Sequence, residues 1–373
     1  MHELNQPVST QDARPMGSPG RTSTRDRPAG AGEEVRSTTY DPETLREAYL
    51  HNWFVVARSE DIDEPRPAQL LDKNLVVFRD ADGHARVLDR HCIHRGADLA
   101  AGKVIDSAIQ CPYHGWRFEG KSGICSRIPS LTNSQQIPPK AEVKSYPVQE
   151  KFGHVWTCLG DPVFALPDPP EIADLTLEWR AADPIPAQCG FMSAMENFRD
   201  MAHFPFVHEV SMGEVEPAVP NIEVERDGRE IRTTFFYPKV PGSPFSDTGD
   251  SWMHYHSYAP GIATILYDFG PEIGKRYLVD FPSPVSYGEC IIYWGVATDK
   301  DFKGGTVDEI LVLETQVFDE DKPILGGLHP PEVPLAGQSF EASVPADVFT
   351  LNYRRATKFA VDAILQARKS PGL

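Results

Sequence analysis

The sequence lacks the features that would carry the chain into a membrane or onto nucleic acid. Among its 373 residues, no apolar run approaches the roughly 20 needed to cross a bilayer, and no charged-then-apolar signal opens the N-terminus. The chain has 36 Lys and Arg against 54 Asp and Glu, a net charge of −18, whereas nucleic-acid binders carry clustered basic residues. We therefore expect a cytoplasmic protein with neither kind of partner.

Cysteine is scarce, and a dinucleotide-binding loop is missing. The six cysteines are scattered through a long chain, which argues against a disulfide framework and favours metal ligation by some of them. No Gly-rich loop of the kind that binds a nicotinamide dinucleotide follows a predicted strand. The sequence therefore predicts that this chain contains no nicotinamide-binding module.

Composition divides the chain into four predicted parts. The N-terminal stretch is rich in Gly, Pro, Ser, Thr and Arg without apolar periodicity, which is typical of a disordered tail. Short apolar runs separated by turn signals then predict an all-β domain, and six prolines between Asp161 and Pro186 indicate a linker. The predicted parts are a tail at 1–38, a first domain at 45–165, a linker at 166–186 and a second domain at 187–373.

The second domain reads as an antiparallel sheet with helices packed on it. A hairpin is predicted at 222–237 around Asp227-Gly228, and two helices close the chain, at about 307–322 and 350–368. Further strands are predicted at 261–269, 275–281 and 289–298. The predicted fold class is therefore α+β, with an all-β domain followed by a helix-grip-like domain.

Two Cys and two His form the first constellation, in the order Cys92-x-His94, sixteen residues, then Cys111-x-x-His114. Such a set can hold a tetrahedral zinc ion or a [2Fe-2S] cluster in which His replaces Cys on one iron. Zinc fingers pair Cys with Cys and His with His, whereas here each loop contributes one of each. That arrangement favours the two-iron cluster. The adjacent His91 is not counted as a ligand.

The second constellation is the segment ENFRDMAHFPFVH at 196–208, with His203 and His208 five positions apart. On a regular helix these positions point about 140° apart. Pro205 biases Phe204 away from helical angles, so either a break in the helix or a π-like turn could aim both imidazoles at one point. Two His and a carboxylate on one face suit an Fe(II) ion that binds O₂.

Taken together, the motifs resemble those of the Rieske non-haem iron oxygenases over about residues 45 to 370. The pattern C-x-H…C-x-x-H, followed by HRG and by GW, is similar to the Rieske domain. Ala97 and Tyr113 stand where respiratory Rieske proteins carry an extra disulfide, so the match is to the oxygenase type. The pattern D-x-x-H-x-x-x-x-H after ENF, with Asp200 at its start, resembles the mononuclear iron motif.

The resemblance implies two metal centres in each subunit. One [2Fe-2S] cluster would be held by Cys92, His94, Cys111 and His114, and one Fe(II) by His203, His208 and a later carboxylate. The F-x-x-D or F-x-E-D pattern of the vanillate O-demethylase and ketosteroid hydroxylase branches selects that carboxylate as Asp321. The other candidates were Glu314, Asp319, Glu320 and Asp347, of which Asp319 and Glu320 are interpreted as a solvated helix face.

The resemblance also gives Asp200 a role beyond the iron ligands. In trimers of this family the cluster of one subunit lies close to the iron of its neighbour, and an acidic residue at this position joins a cluster His to an iron His. For Asp200 the expected partner is His114 or His94 of another subunit, which implies a homotrimer. A carboxylate that binds a ligating imidazole also raises its basicity.

The expected function is that of a terminal oxygenase that hydroxylates or O-demethylates a small aromatic or cyclic substrate with O₂. Electrons would come from a separate NAD(P)H-dependent reductase with flavin, ferredoxin or both. The branches with vanillate O-demethylase and phenoxybenzoate oxygenase are the most similar, and ring cis-dihydroxylation is the alternative. A protein from another class, a Rieske electron-transfer or ligand-binding protein without oxygenase chemistry, would carry iron only in the cluster. Candidate pocket residues, each interpreted as an ordinary sheet residue, are His254, Tyr255, His256 and Trp294.

Overall fold

The structure of the protein is a computed structural model that describes residues 40–169, 177–244, 248–333, 335 and 341–369. The predicted tail at 1–38 lies outside the described residues. Within the described part, no helix is both long and apolar enough to span a bilayer.

Eleven short strands build the first half of the chain, as the apolar runs predicted. They are β1 (Phe54–Arg58), β2 (Arg66–Leu70), β3 (Lys73–Arg79), β4 (Ala85–Asp89), β5 (Lys103–Ile105), β6 (Ala108–Gln110), β7 (Arg117–Glu119), β8 (Cys125–Arg127), β9 (Ser145–Tyr146), β10 (Val148–Lys151) and β11 (His154–Thr157). They form three antiparallel sheets with the orders β1-β11-β10, β2-β3-β4-β9 and β5-β6-β7-β8. The small last sheet and the end of β4 carry both Cys/His loops.

A compact apolar cluster lies beneath these loops. Val76 and Phe78 of β3 pack with Leu88 of β4 and with Ile109 and Phe118 of the small sheet, and each side chain is fully buried. Burial of five such side chains contributes on the order of 1.5–3 kcal/mol each relative to exposure. The two sheets are thereby held together where the loops emerge.

An eight-stranded antiparallel sheet forms the second half of the chain, with the order β12-β19-β18-β17-β16-β15-β14 and β13 also paired with β19. The strands are β12 (Glu178–Ala181), β13 (Ile185–Ala187), β14 (Val224–Asp227), β15 (Glu230–Tyr237), β16 (Ser251–Tyr258), β17 (Ile262–Asp268), β18 (Lys275–Ser286) and β19 (Glu289–Thr298). Side chains along β15 alternate between buried and exposed, because one face of the sheet is covered. The predicted hairpin and the three later strands are confirmed.

The proline-rich stretch is not entirely a linker. Within the predicted boundaries of 166–186, β12 pairs with the end of β19, and β13 begins its pairing with the other end of the same strand. Pro186 of β13 lies opposite Ile291 of β19. An edge strand can contain proline because one side of the strand needs no hydrogen-bond donor. The linker assignment is therefore wrong for 178–181 and 185–186.

Six α-helices are described. They are α1 (Pro42–Tyr49), α2 (Phe191–Asn197), α3 (Phe204–Val207), α4 (Glu209–Met212), α5 (Val307–Leu325) and α6 (Val348–Lys369). The two predicted C-terminal helices are confirmed, with ends that differ by at most three residues. Helix α1 was not predicted; it begins at an Asp41 cap that accepts from the Thr44 N–H.

Helix α5 presents to the sheet a mostly apolar stripe that includes two acidic residues. Its start is fixed by a capping box in which Thr306 and Glu309 each bind the backbone of the other. The residues that it buries follow the helical period: Val307, Ile310, Glu314, Phe318, Asp321 and Leu325. Phe318 packs against Trp294 of β19 with ring centroids 5.0 Å apart. This packing places two acidic side chains of one helix, Glu314 and Asp321, in the interior.

Candidate metal centres

The two Cys/His loops have the same backbone design. Cys92 and His94 follow β4, and Cys111 and His114 follow β6. In each loop a glycine four residues after the Cys donates its N–H to the Cys carbonyl, at 2.9 Å for Gly96 and 3.1 Å for Gly115. Both glycines have positive φ angles, +71° and +70°, which side-chain-bearing residues rarely adopt.

The side chains of these loops form a buried thiol pair beneath two adjacent imidazoles. Cys92 and Cys111 are buried, and burial together with the neighbouring Cys111 thiol raises the pKa of Cys92 to about 11. The rings of His94 and His114 are 4.6 Å apart, and Trp116 stacks on His94 at 4.6 Å with an interplanar angle of 7°. Two buried thiols and two imidazoles are the donors that a Rieske cluster requires.

The arrangement fits a two-iron cluster better than a zinc ion. A tetrahedral ion would draw all four ligand atoms to one centre about 2.0–2.3 Å away. Among the described residues, ligand atoms of three or more side chains come within 4.8 Å of one another in two places, and neither includes these four. The Nδ1 atom of His94 is buried without a hydrogen-bond partner among the described residues. A metal bond would satisfy it.

The second constellation ends in a one-turn helix, α3, and a second one-turn helix, α4, follows it directly. His203 lies just before α3, and His208 lies between α3 and α4 with φ −107° and ψ 30°. The helix is interrupted at His208. Of the two predicted alternatives, the break in the helix is therefore confirmed and the π-like turn is wrong. Phe204 is nevertheless helical, contrary to the expected effect of Pro205, because the proline occupies the first turn, where no helical donor is needed.

The structure brings His203, His208 and Asp321 together. The Nε2 atoms of the two His are 3.0 Å apart. Asp321 Oδ1 lies 3.5 Å from His203 Nε2 and 3.4 Å from His208 Nε2. Two ligands at right angles on an ion, each about 2.1 Å from it, are separated by about 3 Å. The three atoms can therefore share one face of a single ion and leave the opposite face open.

Both imidazoles are oriented by carboxylates on their far side. His203 Nδ1 lies 3.4 Å from Asp200 Oδ2, and His208 Nδ1 lies 3.0 Å from Glu320 Oε2. An Nδ1–H donor on each ring leaves Nε2 with a lone pair, so two lone pairs and a carboxylate oxygen face one point. Such a set is repulsive unless a cation occupies the centre, and it therefore fits a metal ion.

Neighbouring groups fix the charges of this centre. Burial raises the pKa of Asp321, although His208 opposes the rise. The Asn197 amide donates to Asp321 Oδ1 at 2.9 Å and holds that carboxylate toward the imidazoles. At Asp200 burial favours the neutral acid, but hydrogen bonds from His203 and from the Ala202 N–H prevail and lower its pKa. Asp200 is thus ionised.

The interpretation of Glu320 as a solvated residue is wrong. It accepts from Ser211 Oγ at 2.7 Å in addition to His208, and its side chain is only 16% exposed. The break at His208 lets α4 lie against α5, so a residue beside the inward stripe of α5 meets the metal centre. Neither this role nor that of Asn197 was found from the sequence, because both depend on contacts more than 100 residues away.

The remaining candidates separate clearly. Asp319 is exposed and paired with Lys322, and Asp347 caps the backbone at Val344. Of the four suggested pocket residues, Tyr255 alone lines the cavity at the metal centre. The other three bond within the sheet or to its flank: His254 to Thr234, His256 to Glu230, and Trp294 to the Asp183 carbonyl.

A cavity adjoins the open face of the three candidate ligands. It leaves about 50 Å³ for the centres of water-sized molecules, and the 450 Å³ of non-atom space around it includes open solvent. Its wall is mostly apolar, with Phe198, Phe204, Ile265 and Leu278 among the lining residues, and Glu314 also lines it. An apolar cavity with few polar groups beside a metal centre is suited to a small organic molecule.

Comparison with known proteins matches both halves of the chain. Residues 52–147 match the family model described as the Rieske [2Fe-2S] domain, and residues 187–363 match the vanillate O-demethylase oxygenase C-terminal domain. The putative toluene-4-sulfonate monooxygenase system iron-sulfur subunit TsaM2 of Comamonas testosteroni is 35% identical over 181 residues, 48% of this chain and 51% of that one. The chain therefore spans about half the length of that relative.

Other comparisons extend over most of the chain. Methylxanthine N1-demethylase NdmA of Pseudomonas putida is 26% identical over 339 residues, 83% of this chain and 88% of the relative. The structure of Pseudomonas putida CBB5 NdmA with caffeine superposes with a TM-score of 0.72 at 23% identity, covering 87% of this chain and 96% of that one. At that identity the structural likeness shows a shared fold.

Proposed function

The chain belongs to the Rieske non-haem iron oxygenases, and from that premise we propose that it is a terminal oxygenase that hydroxylates or O-demethylates a small aromatic or cyclic compound. The observation that carries the proposal is the convergence of two imidazoles and one carboxylate beside an apolar cavity. Such a facial set with an open side is the arrangement used for O₂ chemistry at non-haem iron.

In this proposal the chain holds two metal centres. Cys92, His94, Cys111 and His114 would hold the [2Fe-2S] cluster, whereas His203, His208 and Asp321 would hold the mononuclear iron. When bound, these groups supply one-electron transfer and O₂ activation.

The surrounding side chains prepare the iron ligands. Asp200 and Glu320 keep the ring protons of His203 and His208 on Nδ1, so that both Nε2 atoms present lone pairs. The Asn197 amide prevents Asp321 from rotating away. Apolar residues line the place where the substrate would bind, and a substrate bound there would displace water, which limits unproductive reaction with solvent.

The electron path is proposed to cross between subunits of a homotrimer. Asp200 is about one-third exposed on the side of His203 that faces away from the cavity, and His114 is exposed at the tip of its loop. Exposed apolar side chains, Phe206 and Val210, lie on the two short helices beside Asp200 and would suit a subunit contact. Asp200 would then join His203 to His114 or His94 of a neighbouring subunit.

The electron donor is proposed to be a separate NAD(P)H-dependent reductase with flavin, ferredoxin or both. Relatives described as the iron-sulfur subunits of toluene-4-sulfonate monooxygenase systems support a multicomponent arrangement. The acidic surface, at net −18, would favour a donor with a basic docking face. A cytoplasmic location agrees with six cysteines that are all unpaired.

The proposal is tested by oxygen incorporation. Purified protein with a surrogate reductase is screened against small aromatic and cyclic compounds for substrate-dependent O₂ uptake, and hits are repeated under ¹⁸O₂. Hydroxylation should place one labelled atom in the product, and demethylation should release formaldehyde. Two labelled atoms in a cis-diol would instead show the alternative dihydroxylation. NADH-linked O₂ uptake that no compound stimulates would count against the proposal.

A further inference from the structure

A buried carboxylate lines the cavity at the metal centre although it is not one of the proposed ligands. Glu314 is only 2% exposed, and burial raises its pKa while Arg276 partly opposes the rise. Its Oε1 atom lies 3.5 Å from Arg276 Nη2 and makes no hydrogen bond within the described part of the chain. A buried acceptor left without a donor costs about 1–3 kcal/mol, so a donor from a bound molecule would be favoured.

The position of Glu314 on α5 relates it to the metal centre. Glu314 and Asp321 are seven residues apart on the same buried stripe, which is two helical turns or about 10 Å along the axis. A single substituted ring spans most of such a distance. A molecule with its reacting carbon near Asp321 would therefore carry its far substituent to Glu314.

The cavity offers an anionic substrate no Lys or Arg side chain among the described residues that line it. Glu314 and Asp321, which do line it, both carry carboxyl groups. Arg276, the nearest cation to Glu314, already pairs with it and stacks over Tyr267 at 4.3 Å. The carboxylate of an aromatic acid bound here would be repelled by the Glu314 carboxylate unless Glu314 took up a proton. An uncharged molecule with a hydrogen-bond donor would bind without that repulsion or proton uptake.

A second polar group completes the polar end of the cavity. Tyr255 lines the same space and is buried. Glu314 lines the same cavity, and its carboxyl raises the pKa of Tyr255 beyond the effect of burial. A hydroxyl donor beside a carboxylate acceptor matches an amide, which offers both a C=O and an N–H.

From these observations we infer that the substrate is an uncharged ring compound that presents an N–H or O–H donor to Glu314, and that Glu314 discriminates against aromatic acids. This inference rests on the proposed function and narrows its substrate class. The net charge of −18 acts in the same direction, because it repels anions before they reach the cavity.

Calorimetric titration with isosteric probes tests the inference without turnover. The metal-loaded wild-type protein is titrated anaerobically with matched amide and acid pairs, beginning with 3-methoxybenzamide and 3-methoxybenzoate. We expect each amide to bind at least tenfold more tightly than its acid, and an N,N-dimethylamide, which lacks the donor, to lose most of that gain. Acids that bind as tightly as the amides would overturn the inference, as would a series in which no amide binds.

Variants on α5 identify the responsible side chain. In Glu314→Gln, which keeps the shape and removes the charge, the preference for amide over acid should fall at least threefold. The matched control Asp319→Asn removes one charge from the exposed face of the same helix and should keep the wild-type preference. An unchanged preference in Glu314→Gln would overturn the assignment to Glu314. The wild-type probe series decides the substrate class even where that variant folds poorly.

The two proposals fail in distinguishable ways. Calorimetry reports binding without reductase or O₂, so a protein that prefers amides but contains no mononuclear iron would contradict the oxygenase and leave the cavity inference standing. Efficient oxygenation of an aromatic acid would support the oxygenase and contradict the inference about the cavity.

Discussion

At the scale of single residues, the proposed iron centre depends on carboxylates that are not among its proposed ligands. Asp200 and Glu320 each accept from the Nδ1 side of a candidate ligand. Such partners fix the tautomer and the ring orientation, and their loss typically costs 10–100-fold in metal affinity or activity. The side chain of Asp200 is 37% exposed and that of Glu320 is 16% exposed. We therefore expect Asp200 to act in electron delivery and Glu320 to act in iron binding.

Replacing Asp200 by Asn should separate electron delivery from metal binding. The amide keeps the shape but removes the charge, so we expect turnover to fall about 10–100-fold while both metal centres remain. Iron and sulfide content and the cluster's EPR spectrum check retention, and product formation measures turnover. Normal turnover in this variant would rule out the proposed bridge.

Replacing Glu320 by Gln should instead weaken the iron site. His208 would lose its anionic partner, and we expect the protein to release iron to a chelator at about 10–100-fold lower chelator concentration. The control is Asp319→Asn, which changes the neighbouring residue on the exposed face of α5. Equal iron retention in Glu320→Gln and in the control would contradict the role given to Glu320.

The sequence predicted the proposed ligands better than their supports. Cys92, His94, Cys111 and His114 could be found because motif spacing is local, and Asp321 because it follows a branch-specific pattern. Glu320 was misassigned because its contact with His208 spans 112 residues and depends on how α4 meets α5. The Asn197 contact with Asp321 spans 124 residues and was missed for the same reason.

At the scale of elements, the decisive feature is a break between two one-turn helices. Pro205 itself lies within the first of these helices, and the sequence did not show whether the chain would break or widen between the two His. The break occurs at His208, after one turn, and the Nε2 atoms of His203 and His208, which flank that turn, lie 3.0 Å apart. Most strands and the C-terminal helices were predictable from periodicity. Helix α1 and the strands β12 and β13 were hidden, because short segments beside proline or a polar tail carry little periodic signal.

The glycine turns of the cluster loops yield a matched pair of variants. Gly96 and Gly83 both have positive φ and open space where a Cβ would stand, so substitution by Ala should cost about 1–2 kcal/mol in either case. Gly83 lies in the β3–β4 turn, whereas Gly96 shapes the Cys92 loop. We expect similar losses in denaturation midpoint, with an altered cluster absorbance or EPR spectrum only for Gly96→Ala. An unchanged cluster in both would contradict the role of this turn.

At the scale of the whole molecule, the proposed electron path requires more than one copy of the chain. Periodicity and motifs describe one chain, so the trimer came only from family resemblance and stays a prediction. Light scattering should give three times the chain mass of 41.5 kDa. A stable monomer with full activity would contradict it.

Mixed assemblies test whether electrons cross between subunits. Cys111→Ser should remove the cluster and Asp321→Ala should remove the mononuclear iron, so each variant alone should be inactive. Co-expression with two affinity tags isolates hybrids, in which a cluster of one subunit can serve the iron of another. We expect such hybrids to recover at least a tenth of wild-type turnover. Hybrids of verified composition that stay inactive would contradict the inter-subunit path.

The central claim is that one chain holds a [2Fe-2S] cluster and a separate iron ion, and metal counting tests it most directly. Iron and acid-labile sulfide are measured on anaerobically purified protein, with Asp321→Ala as the matched variant. The account predicts about three iron atoms per two sulfides in the wild type and two per two in the variant. Two iron atoms per two sulfides in fully loaded wild-type protein would contradict it and would leave an electron-transfer or ligand-binding protein.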